Sequence, residues 1–299
     1  MSESIHRSVM VREVLESLRA ADGGEFLDCT FGGGGHSRAI LQANTNNRVT
    51  AIDRDLRAID RSKKDGASFG DRLSVVHSAF SGVDSILFGS KFDGVLADLG
   101  VSTDQIKEGR GFSFSDDDSL DMRMNEAGGV KASEIVNEVS ESELVNILYA
   151  GGARNGREAA RAIVRARPIA SAKALALVVS KLPTGKKKIN PATVIFQAIR
   201  MAVNNELEEI KNLMSVVPSM VRSGGRLSVI TFHSIEDKAV THTMRSWEGA
   251  SGEPALWPGS KTTKILGKVL TRKAVVPSDE EVEGNPSSRS AKLRVFEFC

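Results

Sequence analysis

A run of four glycines follows a short apolar segment near the amino terminus. The stretch from Glu25 to Ser37 reads E-F-L-D-C-T-F-G-G-G-G-H-S. Phe26 and Leu27 suit a buried strand of a parallel sheet, and glycines allow the backbone to adopt positive φ angles and approach a ligand closely. The stretch therefore predicts a strand that ends near an acid, Asp28, and continues into a ligand-binding loop and a helix.

The spacing of these glycines only partly matches a dinucleotide fingerprint. Gly32 and Gly34 are spaced correctly, but Ser37 stands where the third glycine would be, so the pyrophosphate motif is incomplete and an NAD(P)-dependent oxidoreductase is disfavoured. A flexible turn is the simpler interpretation of a glycine run. However, a second apolar run ends in Asp53, about where a doubly wound sheet places the carboxylate that binds ribose hydroxyls. The pair of features favours nucleoside binding.

The first hundred residues alternate between strand and helix patterns. Four apolar runs end at or near Asp28, Asp53, His77 and Asp98, and Phe80 follows the third. Such alternation predicts an α/β fold with a mostly parallel sheet. Because ligands of these sheets bind at the carboxyl ends of the strands, we expect the three acids and Phe80 to face one site.

The alternation stops after the fourth strand. Residues 106–190 carry helical patterns without a strong strand, which predicts a helical insert between two parts of the sheet domain, 1–105 and 191–299. Three later strands are predicted at 226–232, 264–270 and 292–298. The polar, acidic segment 276–290 is predicted to be a mobile loop.

The composition is that of a soluble globular protein, with 40% apolar and 26% charged residues. No apolar stretch approaches the roughly 20 residues of a membrane span, and the start lacks the apolar core of a signal peptide, so we expect a cytoplasmic protein. Cys29 and Cys299 make neither a metal cluster nor a disulfide framework, and no metal site is predicted.

Charge is distributed unevenly along the chain. Residues 151–190 contain ten Lys or Arg and one acid, whereas residues 116–143 contain nine acids and two basic residues. Local asymmetry usually marks solvated faces, but the basic block is strong enough to predict a polyanionic partner.

The strand ends supply acids rather than phosphate-binding groups. This pattern suits S-adenosylmethionine, which carries ribose, adenine, an ammonium and a sulfonium but no phosphate. Asp53 would bind the ribose hydroxyls, Phe80 would pack on the adenine, and Gly34 and Gly35 would approach the methionine part. For any single acid, a buried structural carboxylate is the alternative.

Six motifs then occur in an order that resembles one family. They are D-C-T-F-G-G-G-G-H-S from Asp28, A-I-D-R-D from Ala51, D-L-G-V-S with Gln105 from Asp98, R-G-F-S-F from Arg110, L-D-M-R-M from Leu120, and T-F-H-S-I-E-D from Thr231. They resemble the RsmH/MraW family of S-adenosylmethionine-dependent methyltransferases, which modify the exocyclic N4 of a cytosine in the decoding region of bacterial small-subunit ribosomal RNA. The similarity runs from His6 to Arg294.

The resemblance implies a class I methyltransferase fold with a helical substrate-recognition insert. Its cofactor contacts, carried over by motif, are Gly34, Gly35, His36, Asp53, Phe80, Asp98 and Gln105. Methyl transfer depends mostly on positioning, but a cytosine amino group must be polarised and must lose a proton. Asp98 is our first catalytic candidate, as the acceptor for that amino group or for the cofactor ammonium. His233 is the second, and a cap on the following helix is its alternative role.

Several positions depart from the family pattern. The usual Gly-Glu-Glu after the tyrosine is replaced around Tyr149 by Ala-Gly-Gly-Ala, and Thr103, Lys107 and Val194 also differ. These changes leave open a non-catalytic ribosome-assembly factor that keeps the fold as an RNA-binding module. The expected partner is small-subunit ribosomal RNA or the small subunit, in single-stranded or loop form because the base must leave any stack. A homodimer also stays open.

The basic block predicts an RNA-binding surface. Arg154, Arg157, Arg161 and Arg165 recur at intervals that place them on one face of a helix, and Lys186, Lys187 and Lys188 follow. A solvated helix face is the alternative. The stripe has few acidic neighbours in the sequence, and such self-repulsion favours a polyanion nearby.

Overall fold

The computed structural model describes residues 7–117, 119–182, 190–249 and 265–299. The chain forms two compact units. One, here called the sheet unit, comprises Met1–Gly100 and Leu207–Cys299, and the other, the helical unit, comprises Val101–Glu206.

The sheet unit contains one seven-stranded sheet, in the order β3-β2-β1-β4-β5-β7-β6. Its strands are β1 (Glu25–Asp28), β2 (Arg48–Asp53), β3 (Leu73–His77), β4 (Phe92–Asp98), β5 (Val221–Thr231), β6 (Gly267–Val269) and β7 (Lys292–Phe298). The first five strands are parallel, and β7 runs antiparallel to both β5 and β6. The predicted mostly parallel α/β fold is confirmed.

The strand order reverses between β1 and β4, since β1 pairs with both β2 and β4. At this switch point the carboxyl ends of the strands diverge and leave a crevice, which is where open α/β sheets bind ligands. Asp28 is in register with Ala51 on one side and Leu96 on the other. The ends of β1, β2 and β4 therefore share one edge of the sheet.

Both faces of the sheet are buried, as a parallel sheet requires. Phe26 and Leu27 are adjacent in β1 and point to opposite faces, so they belong to different apolar clusters. Leu27 packs with residues such as Val95 and Trp247, and Phe26 with residues such as Val14 and Ile40. Truncating either buried side chain to alanine is expected to cost about 2 to 5 kcal/mol of folding free energy.

Thirteen α-helices lie in the described parts of the chain. They are α1 (Val11–Leu18), α2 (Gly35–Ala43), α3 (Leu56–Phe69), α4 (Val83–Ile86), α5 (Thr103–Lys107), α6 (Ala132–Glu138), α7 (Glu141–Ala150), α8 (Gly156–Ala166), α9 (Ala172–Val179), α10 (Pro191–Val203), α11 (Glu206–Met220), α12 (Ser234–Trp247) and α13 (Asp279–Gly284). None of these helices is long and apolar enough to cross a membrane.

The helical unit has its own apolar core, and its described residues include no strand. Helix α10 contributes Ile195, Phe196 and Ile199 to that core. The unit therefore extends beyond the predicted insert of 106–190 at both ends. The sequence locates the start of α10 through Asn190 and Pro191, but the pattern of a helix does not say which core it faces.

Two segments near the carboxyl end differ from what their sequence suggests. Proline usually breaks a helix, but α11 continues to Met220 with Pro218 in its last turns. The segment 276–290 is not a plain loop, since it forms α13 and a 3₁₀ turn, Pro286–Ser290. Ser278 caps α13 by accepting a hydrogen bond from the Glu281 backbone N–H.

Candidate active site

The glycine loop is held against the end of β2. Gly32 and Gly34 have φ angles of 53° and 75°, in the left-handed region that glycine adopts without strain. The Gly32 backbone N–H donates a 2.7 Å hydrogen bond to Asp53 Oδ2, and Phe31 N–H donates to the carbonyl of Ile52. The loop is therefore a fixed turn rather than a flexible one.

Asp53 supports this loop as well as facing the predicted ligand edge. Its second carboxylate oxygen accepts a 2.8 Å hydrogen bond from the Asp55 backbone N–H. Burial raises the pKa of Asp53 to about 6, although the hydrogen bonds from Asp55 and Gly32 favour the carboxylate. An acid with this pKa is ionised at neutral pH and becomes neutral in mildly acidic solution.

Three titratable side chains lie together where β1 and β4 end. His36, on the first turn of α2, is 4% exposed, and its Nε2 lies 3.4 Å from Asp98 Oδ2. Asp28 is fully buried, and accepts hydrogen bonds from the Ser37 hydroxyl (2.7 Å) and the Thr30 backbone N–H (3.0 Å). The structure thus brings His36 and Asp98 together, as two of the predicted site residues.

The same cluster contains buried polar atoms without a protein partner. Among the described residues, Asp98 Oδ1 and both ring nitrogens of His36 make no hydrogen bond. Unsatisfied buried polar atoms are costly, and in a native site they usually mark a place where a ligand or water binds. Asp98 Oδ1 is an acceptor, so it calls for a ligand that carries a proton donor.

Burial lowers the pKa of His36, but the neighbouring Asp98 carboxylate, together with the charges of Asp28 and Glu281, outweighs that effect and raises the pKa overall. For Asp28 burial acts in the other direction and is the main reason that its pKa is raised, although His36 and the hydrogen bond from Ser37 favour the carboxylate. The imidazole is therefore more basic than that of free histidine, and it sits between two acids.

Sequence reasoning missed the segment that covers the glycine loop. A methyl group at Gly35 would overlap the Ser8 hydroxyl, so the chain before α1 packs directly on the loop. Glu281 fixes this segment by accepting a 2.6 Å hydrogen bond from Met10 N–H, and Asn285 Nδ2 donates to the carbonyl of Arg7. We call residues 7–10 with Glu281 and Asn285 the clasp. Its members are about 270 residues apart, so no local signal predicts it.

The remaining predicted residues have local roles in the structure. Phe80 begins a 3₁₀ turn after β3 and packs partly buried against the apolar cluster on one sheet face. Gln105 lies in the helical unit, where it forms a capping box with Ser102 at the start of α5. His233 is the N-cap of α12, since its Nδ1 accepts a hydrogen bond from the Glu236 backbone N–H (3.3 Å). His233 therefore has the capping role that the sequence analysis gave as the alternative to a catalytic one.

The predicted arginine stripe lies on the surface of the helical unit. Arg154, Arg157, Arg161 and Arg165 are all exposed, and Ala159 and Ile163 on the other side of α8 are fully buried. Arg157 and Arg161 line an open depression of about 530 Å³. Lys186, Lys187 and Lys188 lie outside the described residues.

One member of the stripe has an acidic neighbour that is distant in the sequence. Arg161 Nε lies 3.4 Å from Glu141 Oε1, and Glu141 lines the same depression. Glu141 comes from α7, which is 20 residues earlier in the chain, so only packing of α7 against α8 reveals the pair. Both side chains are more than 45% exposed, and such a pair contributes little to stability.

A doubly wound sheet, a glycine loop at its switch point and acids at the ends of β1, β2 and β4 define the class I, S-adenosylmethionine-dependent methyltransferases. The chain belongs to the MraW methylase family, whose model matches residues 3–299.

Similar proteins agree with this membership. The chain is 42% identical over 297 residues to the Ribosomal RNA small subunit methyltransferase H of Cyanothece sp., covering 98% of this chain and 94% of that protein. It is 40% identical to the protein of that name from Nitratiruptor sp., covering 98% of both. A solved rRNA methylase from Streptococcus thermophilus matches with a TM-score of 0.43 and 9% identity over 98% of both chains.

Proposed function

We propose that this protein transfers the methyl group of S-adenosylmethionine to the exocyclic N4 of a cytosine in the decoding region of small-subunit ribosomal RNA. The observation that carries the proposal is Asp98 Oδ1, a buried acceptor at the end of β4 that has no hydrogen-bond partner in the described part of the chain. The ribosomal RNA target is supported by the names of relatives that match nearly the whole chain at about 40% identity.

The cofactor would lie along the carboxyl ends of β1, β2 and β4. Asp53 would accept hydrogen bonds from the ribose hydroxyls, Phe80 would pack on the adenine, and Gly34 and Gly35 would approach the methionine part. The ring Nδ1 of His36, which has no hydrogen-bond partner among the described residues, would face the cofactor. For Gln105, the family motif is the reason to propose a cofactor contact. In the structure its side chain takes part in the capping box of α5.

The target amino group would donate its hydrogen bond to Asp98 Oδ1. A cytosine amino group is a weak nucleophile because its lone pair is delocalised into the ring, so a negative acceptor that polarises it lowers the barrier. The methyl–sulfur bond breaks as the nitrogen–methyl bond forms, and the sulfur keeps the bonding electrons. In this proposal His233 serves as a helix cap, not in the transfer itself.

RNA would bind through the arginine stripe. The four arginines form an exposed row on α8 and the residues before it, and phosphate groups are the ligands that such a row favours. We expect the small subunit or its RNA to be the partner, with the target base in a single-stranded region.

The family departures do not favour the alternative of an inactive assembly factor. Gly151 packs so closely on α10 that a methyl group there would overlap Ala198, and Gly152 has a φ of 89°. Val194 packs against the core of the helical unit. These residues therefore have structural reasons to differ, and the cofactor motif is intact.

The direct test is to incubate the protein with labelled S-adenosylmethionine and small ribosomal subunits from cells that lack it, and then to map the modified nucleoside. We expect one N4-methylated cytidine in the decoding region. Binding of the subunits without label transfer would support the assembly-factor alternative. Label at another atom or another region would contradict the target.

A further inference from the structure

We propose that His36 is the final acceptor of the proton that the target amino group loses, and that it receives this proton through Asp98. The inference rests on the proposed function, since it concerns the fate of a proton in the same reaction. It is carried by three observations on the described residues: Asp98 Oδ1 has no hydrogen-bond partner, Asp98 Oδ2 lies 3.4 Å from His36 Nε2, and Asp98 Oδ1 and both ring nitrogens of His36 are buried.

The geometry provides a path of two steps. The N4 lone pair forms the bond to the methyl group, and the N4–H bonding electrons stay on nitrogen as the proton passes to Asp98 Oδ1. Rotation of the carboxyl group then brings that proton to His36 Nε2, which lies 3.4 Å from the other carboxylate oxygen. His36 must be neutral before the transfer, with its own hydrogen on Nδ1.

The charge balance explains why a buried imidazole suits this task. The sulfonium of the cofactor loses its positive charge when the methyl group leaves. If His36 gains the proton, one positive charge disappears and another appears in the same buried site. Changes in net charge are costly away from water, so a transfer that conserves the local charge avoids that cost.

The surroundings of His36 make it a strong base. It is faced by Asp28 from β1 and Asp98 from β4, and Glu281 of α13 adds a further negative charge. Burial opposes the charged imidazole, but these three acids outweigh that effect and raise the pKa of His36, so they favour its protonated form. The positive charges of the bound cofactor oppose that proton. We therefore expect cofactor binding to release it and prepare the imidazole to accept another.

Two measurements that need no turnover test the coupling. A ¹⁵N NMR titration of the free protein should show a His36 pKa above that of free histidine, and Asp98→Asn should lower it. Calorimetric binding of S-adenosylmethionine in buffers of different ionisation enthalpy should show more proton release from the wild type than from His36→Gln. Asp53 contributes equally to both proteins, so the difference reports His36.

The third measurement is the pH dependence of single-turnover methylation of small subunits at saturating cofactor. Imidazolium cannot accept a proton, so the wild-type rate should rise with pH as His36 becomes neutral in the complex. In His36→Gln the rate should no longer rise with pH in this way, and its maximum should be lower by about 100-fold, a typical contribution of a general base. Ser37→Ala, which removes only the hydroxyl that donates a hydrogen bond to Asp28, is the matched control, and its rate should still rise with pH.

The outcomes separate this inference from the function itself. The proton path through Asp98 to His36 would be overturned if the rate of His36→Gln still rose with pH as in the wild type. It would also be overturned if Asp98→Asn left the pKa of His36 unchanged. The methyltransferase assignment would stand in both cases. If wild-type protein binds no S-adenosylmethionine, the proposed function fails, and the NMR titration still decides whether the two side chains are coupled. That titration also decides the case in which His36→Gln does not fold.

Discussion

The carboxyl edge of the sheet unit and the stripe of the helical unit place their charges in opposite ways. In the sheet unit His36, Asp28 and Asp98 are buried or nearly so, and each faces another titratable group. In the helical unit the four arginines of the stripe are exposed, and among the residues that the structure describes only Arg161 contacts an acid, with its Nε 3.4 Å from Glu141 Oε1. Burial amplifies charge interactions, whereas exposure lets salt screen them. The difference suits chemistry at one region and reversible binding of a polyanion at the other.

The largest effect is expected at the buried region. Asp98→Asn keeps the shape of the side chain but removes its charge and its basicity, so the rate of methyl transfer should fall by about 10² to 10⁴. Affinity for S-adenosylmethionine should change by no more than about threefold. Single-turnover kinetics and calorimetry measure the two quantities. A loss of cofactor affinity with an unchanged rate at saturation would instead assign Asp98 to the cofactor ammonium.

Asp53→Ala should weaken cofactor binding by about 100-fold, which corresponds to about 2.7 kcal/mol. The variant loses the acceptor for the ribose and also the hydrogen bond from Gly32 N–H, so the glycine loop should exchange its amide hydrogens faster. Asp60→Ala on the exposed side of α3 is the control, and it should bind normally. Equal affinity in both variants would remove Asp53 from the site.

Mild acid removes the charge of the Asp53 carboxylate reversibly, by protonating it. The pKa of Asp53 is raised to about 6, so its carboxylate is present above this pH and is lost as the pH falls through it. Affinity for S-adenosylmethionine should therefore decrease below pH 6, by up to about tenfold per pH unit from this group. Asp53→Asn should make the dependence between pH 5 and 7 less steep, and the part that comes from proton release at His36 should remain. A wild-type affinity that is constant over that range would contradict the assignment.

The exposed region should respond to salt rather than to pH. Replacing Arg154, Arg157 and Arg165 with alanine should weaken binding to small-subunit RNA at low salt. Each lost phosphate contact should reduce the slope of log affinity against log salt by about 0.7 to 0.9. Glu141→Gln, which removes the acid beside Arg161, should act in the opposite direction. If both variants bind RNA like the wild type, with unchanged cofactor affinity, the stripe is only a solvated surface.

The smallest effect is expected at the clasp. Glu281→Gln keeps an oxygen that can accept from Met10 N–H but removes its charge, so cofactor affinity should fall by about twofold to fivefold. Glu280→Gln on the same turn provides the control. A loss as large as that of Asp53→Ala would mean that the clasp, and not the strand ends, dominates the cofactor site.

Features that depend on neighbours in the sequence were predicted well. The strands that end in Asp28, Asp53 and Asp98 and the turn at the glycine run all occur as expected. The roles of single side chains were harder to predict. His233 has a sequence pattern that fits a helix cap and a site residue equally well. The pairing of Arg161 with Glu141 depends on the packing of α7 against α8, which the sequence pattern does not reveal.

The sequence by itself determined the class of fold, the family and the edge of the sheet where the acids meet. Strand ends, turns and caps follow from residue type and spacing over a few positions, and these are local properties. Only the tertiary structure decided that Ser8 and Glu281 cover the glycine loop, that α10 belongs to the helical unit, and that His36 faces Asp98. Those contacts join residues from 27 to 271 positions apart in the chain. Their formation depends on how whole elements pack, for which a local pattern carries no information.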